Sequence, residues 1–163
     1  MSSVTIYKSI ISKLPLDMVK VIESYCDPET DYYRDKIIEL STKYDIYMCG
    51  HNCDQLKKYN SYEILHNKST ILNIIDCMNQ IPYVITPMKT VYNVGSYGGK
   101  HVIERYREKR RTGNCYISNG EFMMAMLLCG YTMKTHYNHI NTSFKASYIK
   151  EKVEKVKRRR RGW

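Results

Sequence analysis

The run from Phe122 to Cys129 constrains the fold more than any other part of the chain, because all eight of its residues are apolar. Ser118 and Glu121 precede it with the spacing of a capping box, in which the serine hydroxyl accepts from the N3 amide and the glutamate reaches back. Gly130 follows where a left-handed residue commonly ends a helix. A helix without a polar face is buried. The sequence therefore predicts a central helix for the second half of the chain.

Other segments carry weaker helix signals, and together they predict a mainly α-helical protein. Asp27-Pro28 has the form of an N-cap followed by a first helical position, and residues 62–79 place apolar side chains at helical spacing. Residues 101–109 are rich in helix formers. The one short candidate for a strand is residues 83–86, between two prolines. We expect a compact helical bundle with at most a short β element and a basic C-terminal helix.

The charge of the chain is distributed unevenly. Its 163 residues suit one domain or two small lobes. Residues 1–80 hold 9 basic and 11 acidic side chains, whereas residues 81–163 hold 17 and 5, so the net charge of +10 resides in the second half. Such asymmetry indicates a polyanionic partner. We expect three segments: an N-terminal helical half (1–80), a helical module (81–144) and a basic amphipathic tail (145–163).

The tail carries nine Lys and Arg residues against two Glu, with Ala146, Ile149, Val153 and Val156 at helical spacing. Cations at this density neutralise phosphates without reading base edges, which favours sequence-independent binding of DNA or RNA. A nuclear-import signal and a solvated tail are the alternatives. The predicted phosphate contacts in the tail are Lys152, Lys155, Lys157, Arg158, Arg159, Arg160 and Arg161.

A second basic cluster lies on the helix predicted over 101–109 and the turn after it. It can contact phosphates through the outer face of that helix, and the alternative is an ordinary solvated helix face. A helix-turn-helix is excluded, because a recognition helix presents polar side chains to the groove and residues 122–129 have none. The members of this cluster are Lys100, Arg105, Arg107, Lys109, Arg110 and Arg111.

The sequence contains no recognisable catalytic constellation, so we expect a non-enzymatic protein without a cofactor. Residues 95–100 resemble a phosphate loop only superficially, because two motif positions hold other residue types, and we interpret them as a structural turn. Cys49, His51 and Cys53 match no common structural zinc spacing, so we expect no metal there, although zinc binding is left open. No apolar run approaches the ~18 residues of a membrane-spanning helix, and we expect no membrane partner.

Two segments of the module resemble a known sequence family. Residues 95–104 read Gly-Ser-Tyr-Gly-Gly-Lys-His-Val-Ile-Glu, and residues 116–122 read Tyr-Ile-Ser-Asn-Gly-Glu-Phe. They resemble a module of short, uncharacterised proteins of large and giant DNA viruses and some phages. In that module a larger apolar residue usually stands at the position of Gly99. The resemblance implies a viral origin and a compact helical module, and it implies no mechanism.

The N-terminal residues 14–25, Leu-Pro-Leu-Asp-Met-Val-Lys-Val-Ile-Glu-Ser-Tyr, resemble the opening of an F-box. This resemblance implies docking to a ubiquitin-ligase adaptor. From the whole sequence we expect a non-enzymatic viral protein that associates with nucleic acid in the host cytoplasm, viral factory, virion or nucleus. One alternative is a minor capsid or virion-assembly protein with viral structural proteins as partners. The other is an F-box-like adaptor for host interactions.

Overall fold

The computed structural model describes residues 28–52, 65, 67–110, 115–136 and 139–149. Within these residues the chain forms four helices and three small antiparallel sheets. The prediction of a helical bundle with at most a short β element is therefore wrong. Helices form the larger part, but strands from distant parts of the chain pair with one another, so the described fold is mixed α and β.

Four helices surround one core. The last of them, α4 (Asn119–Leu128), packs against the other three, and its residues from Asn119 to Met126 are buried. The prediction of a buried central helix is confirmed. Both bonds of the predicted capping box are present, since the Ser118 hydroxyl accepts from the amide of Glu121 and the Glu121 carboxylate accepts from the amide of Ser118. The helices are α1 (Pro28–Tyr44), α2 (Lys68–Val84), α3 (Ser96–Arg110) and α4 (Asn119–Leu128).

Short strands link the helices at their ends, and they pair in three sheets with the orders β1-β2, β3-β7 and β4-β6-β5. All of the pairs are antiparallel. The longest strands have only three residues, too few for an alternating apolar pattern to show in the sequence. The strands are β1 (Ile46–Tyr47), β2 (Gly50–His51), β3 (Ile85–Pro87), β4 (Val94–Gly95), β5 (Met133–Lys134), β6 (Ser143–Phe144) and β7 (Ala146–Tyr148).

The start of the basic tail is a strand and not the predicted helix. Residues 146–148 form β7, which pairs with β3 so that Ile85 lies opposite Tyr148 and Pro87 opposite Ala146. Within the described residues, only Ala146 and Ile149 carry the apolar spacing of the predicted helix. This short pattern favours a helix less than the hydrogen bonds to β3 favour a strand. The rest of the predicted helix, residues 150–161, lies outside the described residues.

Helix α2 begins later and ends later than the sequence predicts. Asn67 is its N-cap, and the side chain accepts from the amide of Ser69. The helix then passes through Pro82 to Val84. Proline has no N–H, so the carbonyl of Met78 lacks its helical donor. The thiol of Cys129 at the end of α4 lies 3.9 Å from that oxygen and donates to it, which compensates the missing bond.

The core collects apolar side chains from all four helices and from the strands beside them. Phe122 of α4 and Phe144 of β6 meet edge to face with ring centroids 6.1 Å apart. The start of α1 at Pro28 agrees with the sequence prediction, and its Ile37 side chain is fully buried. None of the described helices is long and apolar enough to cross a membrane.

Candidate nucleic-acid interface

The root of the basic tail lies beside the end of α2. The amide of Ile149 donates a 3.0 Å hydrogen bond to the carbonyl of Val84, continuing the β3–β7 pairing by one residue. Burial raises the pKa of Tyr148, and the positive charge of Arg105 on α3 partly offsets that rise. The Tyr148 hydroxyl also lies against Gly98 of α3. The described start of the tail, residues 145–149, therefore lies beside the helix that carries the second basic cluster.

An arginine at the end of α3 lies against two tyrosine rings. The Arg110 guanidinium is 4.7 Å from the ring centroid of Tyr106 and 5.3 Å from that of Tyr83. The two rings are nearly parallel, with centroids 6.0 Å apart. Arg110 is exposed, and so is Tyr83. The two rings hold the Arg110 guanidinium at the surface through cation–π contacts and leave its N–H groups open to solvent. We call Tyr83, Tyr106 and Arg110 the Arg110 cluster.

A second pairing of cations with a tyrosine lies on the three-stranded sheet side. The ammonium groups of Lys134 and Lys145 are 5.9 Å and 5.4 Å from the ring centroid of Tyr92. The backbone of Lys145 is fixed on both sides, because its amide donates to Thr132 and its carbonyl accepts from Met88. We call Tyr92, Lys134 and Lys145 the Tyr92 cluster. Sequence reasoning missed Lys134, since an isolated lysine carries no signal until the fold places it.

Arg107 belongs to the predicted basic cluster, but the structure buries its side chain completely. The guanidinium donates to the side chains of Gln80 and Asn73 at 2.9 Å and 2.7 Å and to the carbonyl of Tyr116 at 3.2 Å. It also forms an ion pair with Asp76 at 3.0 Å. Because these partners use its donors inside the protein, Arg107 does not face solvent and is not part of the interface.

Lys100, another predicted phosphate contact, is also buried. Its ammonium lies 3.1 Å from a carboxylate oxygen of Glu104 and 3.3 Å from the carbonyl of Ile117. The rings of Tyr97 and Tyr116 lie over it, with centroids 5.7 Å and 4.9 Å away. Lys100 therefore supports the surface from beneath instead of meeting a ligand directly.

The remaining predicted contacts divide into two groups. Lys109 and Arg110 are exposed and Arg105 is half-buried, so these three side chains reach the surface of the described fold. The others lie outside the described residues, and their role stays a prediction. They are Arg111, Lys152, Lys155, Lys157, Arg158, Arg159, Arg160 and Arg161.

The possible metal ligands lie apart from this surface. Cys49 and His51 flank Gly50 in the β1–β2 hairpin, whereas Cys53 is not among the described residues. The carbonyl of Cys49 accepts from the side-chain amide of Asn119. Across the described ranges, no group of three or more His, Cys, Asp or Glu side chains could hold a metal ion.

The glycine-rich residues 95–100 do not form the turn that we predicted. Gly95 ends β4, and α3 begins at Ser96 and runs through Gly98 and Gly99. The ring of Phe122 occupies the space that a side chain at Gly99 would need.

Comparison of the chain with protein-family models, with curated proteins and with solved structures gives no match. The F-box-like residues 14–25 lie outside the described part of the chain.

Proposed function

We propose that this protein binds nucleic acid through the phosphate backbone, on a surface that joins the Arg110 cluster, the Tyr92 cluster and the basic tail. The bond between Ile149 and Val84 carries the proposal. It fixes the root of the tail one residue from Tyr83, which stacks in the Arg110 cluster. We infer from this that two cationic segments, far apart in the sequence, serve one surface.

The chemistry of the exposed groups supports contact with phosphate and little base recognition. Arg110, Lys109 and Lys134 are exposed cations, and guanidinium and ammonium groups bind phosphate oxygens that are the same at every base. Residues 81–163 carry twelve more basic than acidic side chains. Binding of this kind releases counterions, so the affinity depends steeply on salt.

The resemblance of residues 95–104 and 116–122 to a module of large DNA viruses supports a viral, non-enzymatic protein that acts in the viral factory, host cytoplasm or virion. Co-purification with intact particles at a fixed copy number would support the alternative of an assembly protein. Particles that lack the protein, together with its retention on nucleic acid in infected cells, would favour the proposed role.

The test must leave the fold intact. Deleting residues 145–163 would remove β7 and its pairing with β3, so the appropriate truncation ends after Ile149. It removes eight of the nine basic residues of the tail. We expect the slope of log affinity against log salt for a DNA duplex to fall by several units, since each lost phosphate contact contributes about 0.9.

A second variant tests the described part of the surface. Lys109→Ala with Arg110→Ala should lower the salt slope by up to about 2. The matched control is Lys36→Ala with Lys43→Ala, which removes two exposed cations from α1 and should leave the slope unchanged. An affinity that stays the same in the truncated protein at moderate salt would reject the proposed function.

A further inference from the structure

A different pair of tyrosines lies toward the other end of α3 from the Arg110 cluster. Tyr97 and Tyr116 are 56% and 59% exposed, the two highest values among the large apolar side chains exposed in the described residues. Both rings lie within 6 Å of the same buried atom, Nζ of Lys100. The two rings therefore border one site, which we call the Tyr97–Tyr116 site.

The residues beneath this site are held firmly in place. Oε1 of Glu104 accepts from Nζ of Lys100 and from the amide of Ile117. The segment that carries Tyr116 is thereby tied to the helix that carries Tyr97. His101 packs edge to face on Tyr97 at 4.5 Å, and its Nδ1 lies 2.6 Å from Oε2 of Glu104. Binding of a ligand to the two rings therefore costs little conformational entropy, because their surroundings are already fixed.

The chemistry of the site fits an unpaired base next to its phosphate. Each nucleobase has an aromatic face, and stacking on a protein ring contributes about 1–3 kcal/mol per base. The ammonium of Lys100 beneath the rings balances the charge of the Glu104 carboxylate, so the site does not repel the phosphates that flank a stacked base. In a duplex the faces of the bases are already covered by their neighbours, so only a single strand offers them to tyrosine rings.

We infer that Tyr97 and Tyr116 stack on unpaired bases and that the protein prefers single-stranded over double-stranded nucleic acid. The inference rests on the proposed function, to which it adds the class of ligand. Tyr97 and Arg110 are thirteen positions apart on α3, about 20 Å along its axis and about 140° apart around it. A strand several nucleotides long that stacks at the Tyr97–Tyr116 site therefore reaches the Arg110 cluster by crossing over α3.

The experiment compares two probes on the full chain: an oligodeoxythymidine and a DNA duplex of equal length. Tyr97→Leu and Tyr116→Leu should each weaken oligodeoxythymidine binding by at least about fivefold and leave duplex binding unchanged. Phenylalanine keeps the ring, so Tyr97→Phe and Tyr116→Phe should retain the wild-type affinity. The matched control is Tyr32→Leu, which removes an exposed tyrosine from α1 and should change neither affinity.

Failure of the inference and failure of the proposed function give different results. Leucine variants that bind oligodeoxythymidine as the wild type does, or that lose both probes to the same extent, overturn the stacking site while the proposed function stands. A wild-type chain that binds neither probe at moderate salt overturns the proposed function, and the inference with it. Photocrosslinking from 5-iododeoxyuridine gives an independent readout, since the inference expects adducts at Tyr97 and Tyr116 and is rejected by adducts confined to other residues.

Discussion

Nη1 of Arg107 donates a 2.7 Å hydrogen bond to Oδ1 of Asn73. Nδ2 of the same amide donates to a carboxylate oxygen of Glu121 at 2.9 Å, so one asparagine joins a buried cation to a buried anion. Glu121 also closes the capping box of α4. A single chain of hydrogen bonds therefore ties together α3, α2 and the central helix.

Removing the cation from this chain should destabilise the protein strongly. Arg107→Met leaves the carbonyl of Tyr116 and the side chains of Asn73 and Gln80 without their donor, and loss of one partner from a buried charged network costs about 3–5 kcal/mol. Urea denaturation should show a transition midpoint lowered by that free energy divided by the m-value. The matched control is Arg110→Met on the same helix, whose side chain is exposed, and it should change the free energy of unfolding by less than about 1 kcal/mol.

A small loss of stability in Arg107→Met, similar to that in Arg110→Met, would contradict the role of the network. Asp76→Asn separates the ion pair from the other bonds. Asp76 is 55% exposed, so solvent screens its charge and the variant should cost far less than Arg107→Met.

The contrast between these two arginines shows what the sequence could not supply. Arg107 and Arg110 belong to one basic run, and nothing in that run distinguishes the buried cation from the exposed one. The difference comes from Asn73, Asp76 and Gln80, which α2 presents to one side of α3. Such partners are about thirty residues away in the chain, so they become visible only when the helices pack.

Local signals predicted local structure where capping residues marked both ends of a helix. The limits of α4 followed from the capping box of Ser118 and Glu121 and from Gly130, whose φ of +81° is the left-handed conformation expected there. The sheets could not be predicted in this way. Strand β3 pairs with β7 across some sixty residues of chain, and segments of two or three residues are too short to show the alternation of a strand.

Gly99 leaves room for the central helix. A Cβ atom added there would lie 2.3 Å from Cζ of Phe122, and the phenylalanine is fully buried in the core. Gly99→Ala should therefore lower the free energy of unfolding by about 1–3 kcal/mol, the usual cost of overpacking. Thermal unfolding checks the prediction. Gly95→Ala is the control, because the nearest atom to its added Cβ is 4.0 Å away, and equal effects of the two changes would contradict it.

The carboxylate of Glu104 should contribute to stability in a manner that depends on pH. Burial raises its pKa, but hydrogen bonds from Lys100, His101 and the amide of Ile117 outweigh burial and hold the pKa below its ordinary value. A lowered pKa in the folded state stabilises the protein above the unfolded-state pKa of about 4.3. That stabilisation is lost as the pH falls through the folded-state value.

The Glu104→Gln variant removes this dependence. Its free energy of unfolding should be lower than that of the wild type at pH 7, and the difference should shrink as both proteins are titrated from pH 5 toward pH 3. Denaturation at a series of pH values measures the difference directly. A gap that stays constant over the whole range would mean that ionisation of Glu104 does not contribute to stability, which would contradict the lowered pKa.

Cys77 should resist alkylation for as long as the core stays closed. Its thiol is fully buried in α2, and burial raises its pKa far above the ordinary value even though Arg107 nearby acts in the opposite direction. Alkylating reagents attack the thiolate, so iodoacetamide at pH 8 should modify Cys77 only through opening of the fold. The half-buried Cys115 provides the comparison within the same sample. In the wild type, peptide mass spectrometry should find Cys115 modified first and Cys77 protected. In Arg107→Met the protection of Cys77 should be reduced. Equal rates of modification at the two cysteines of the wild type would contradict the closed core.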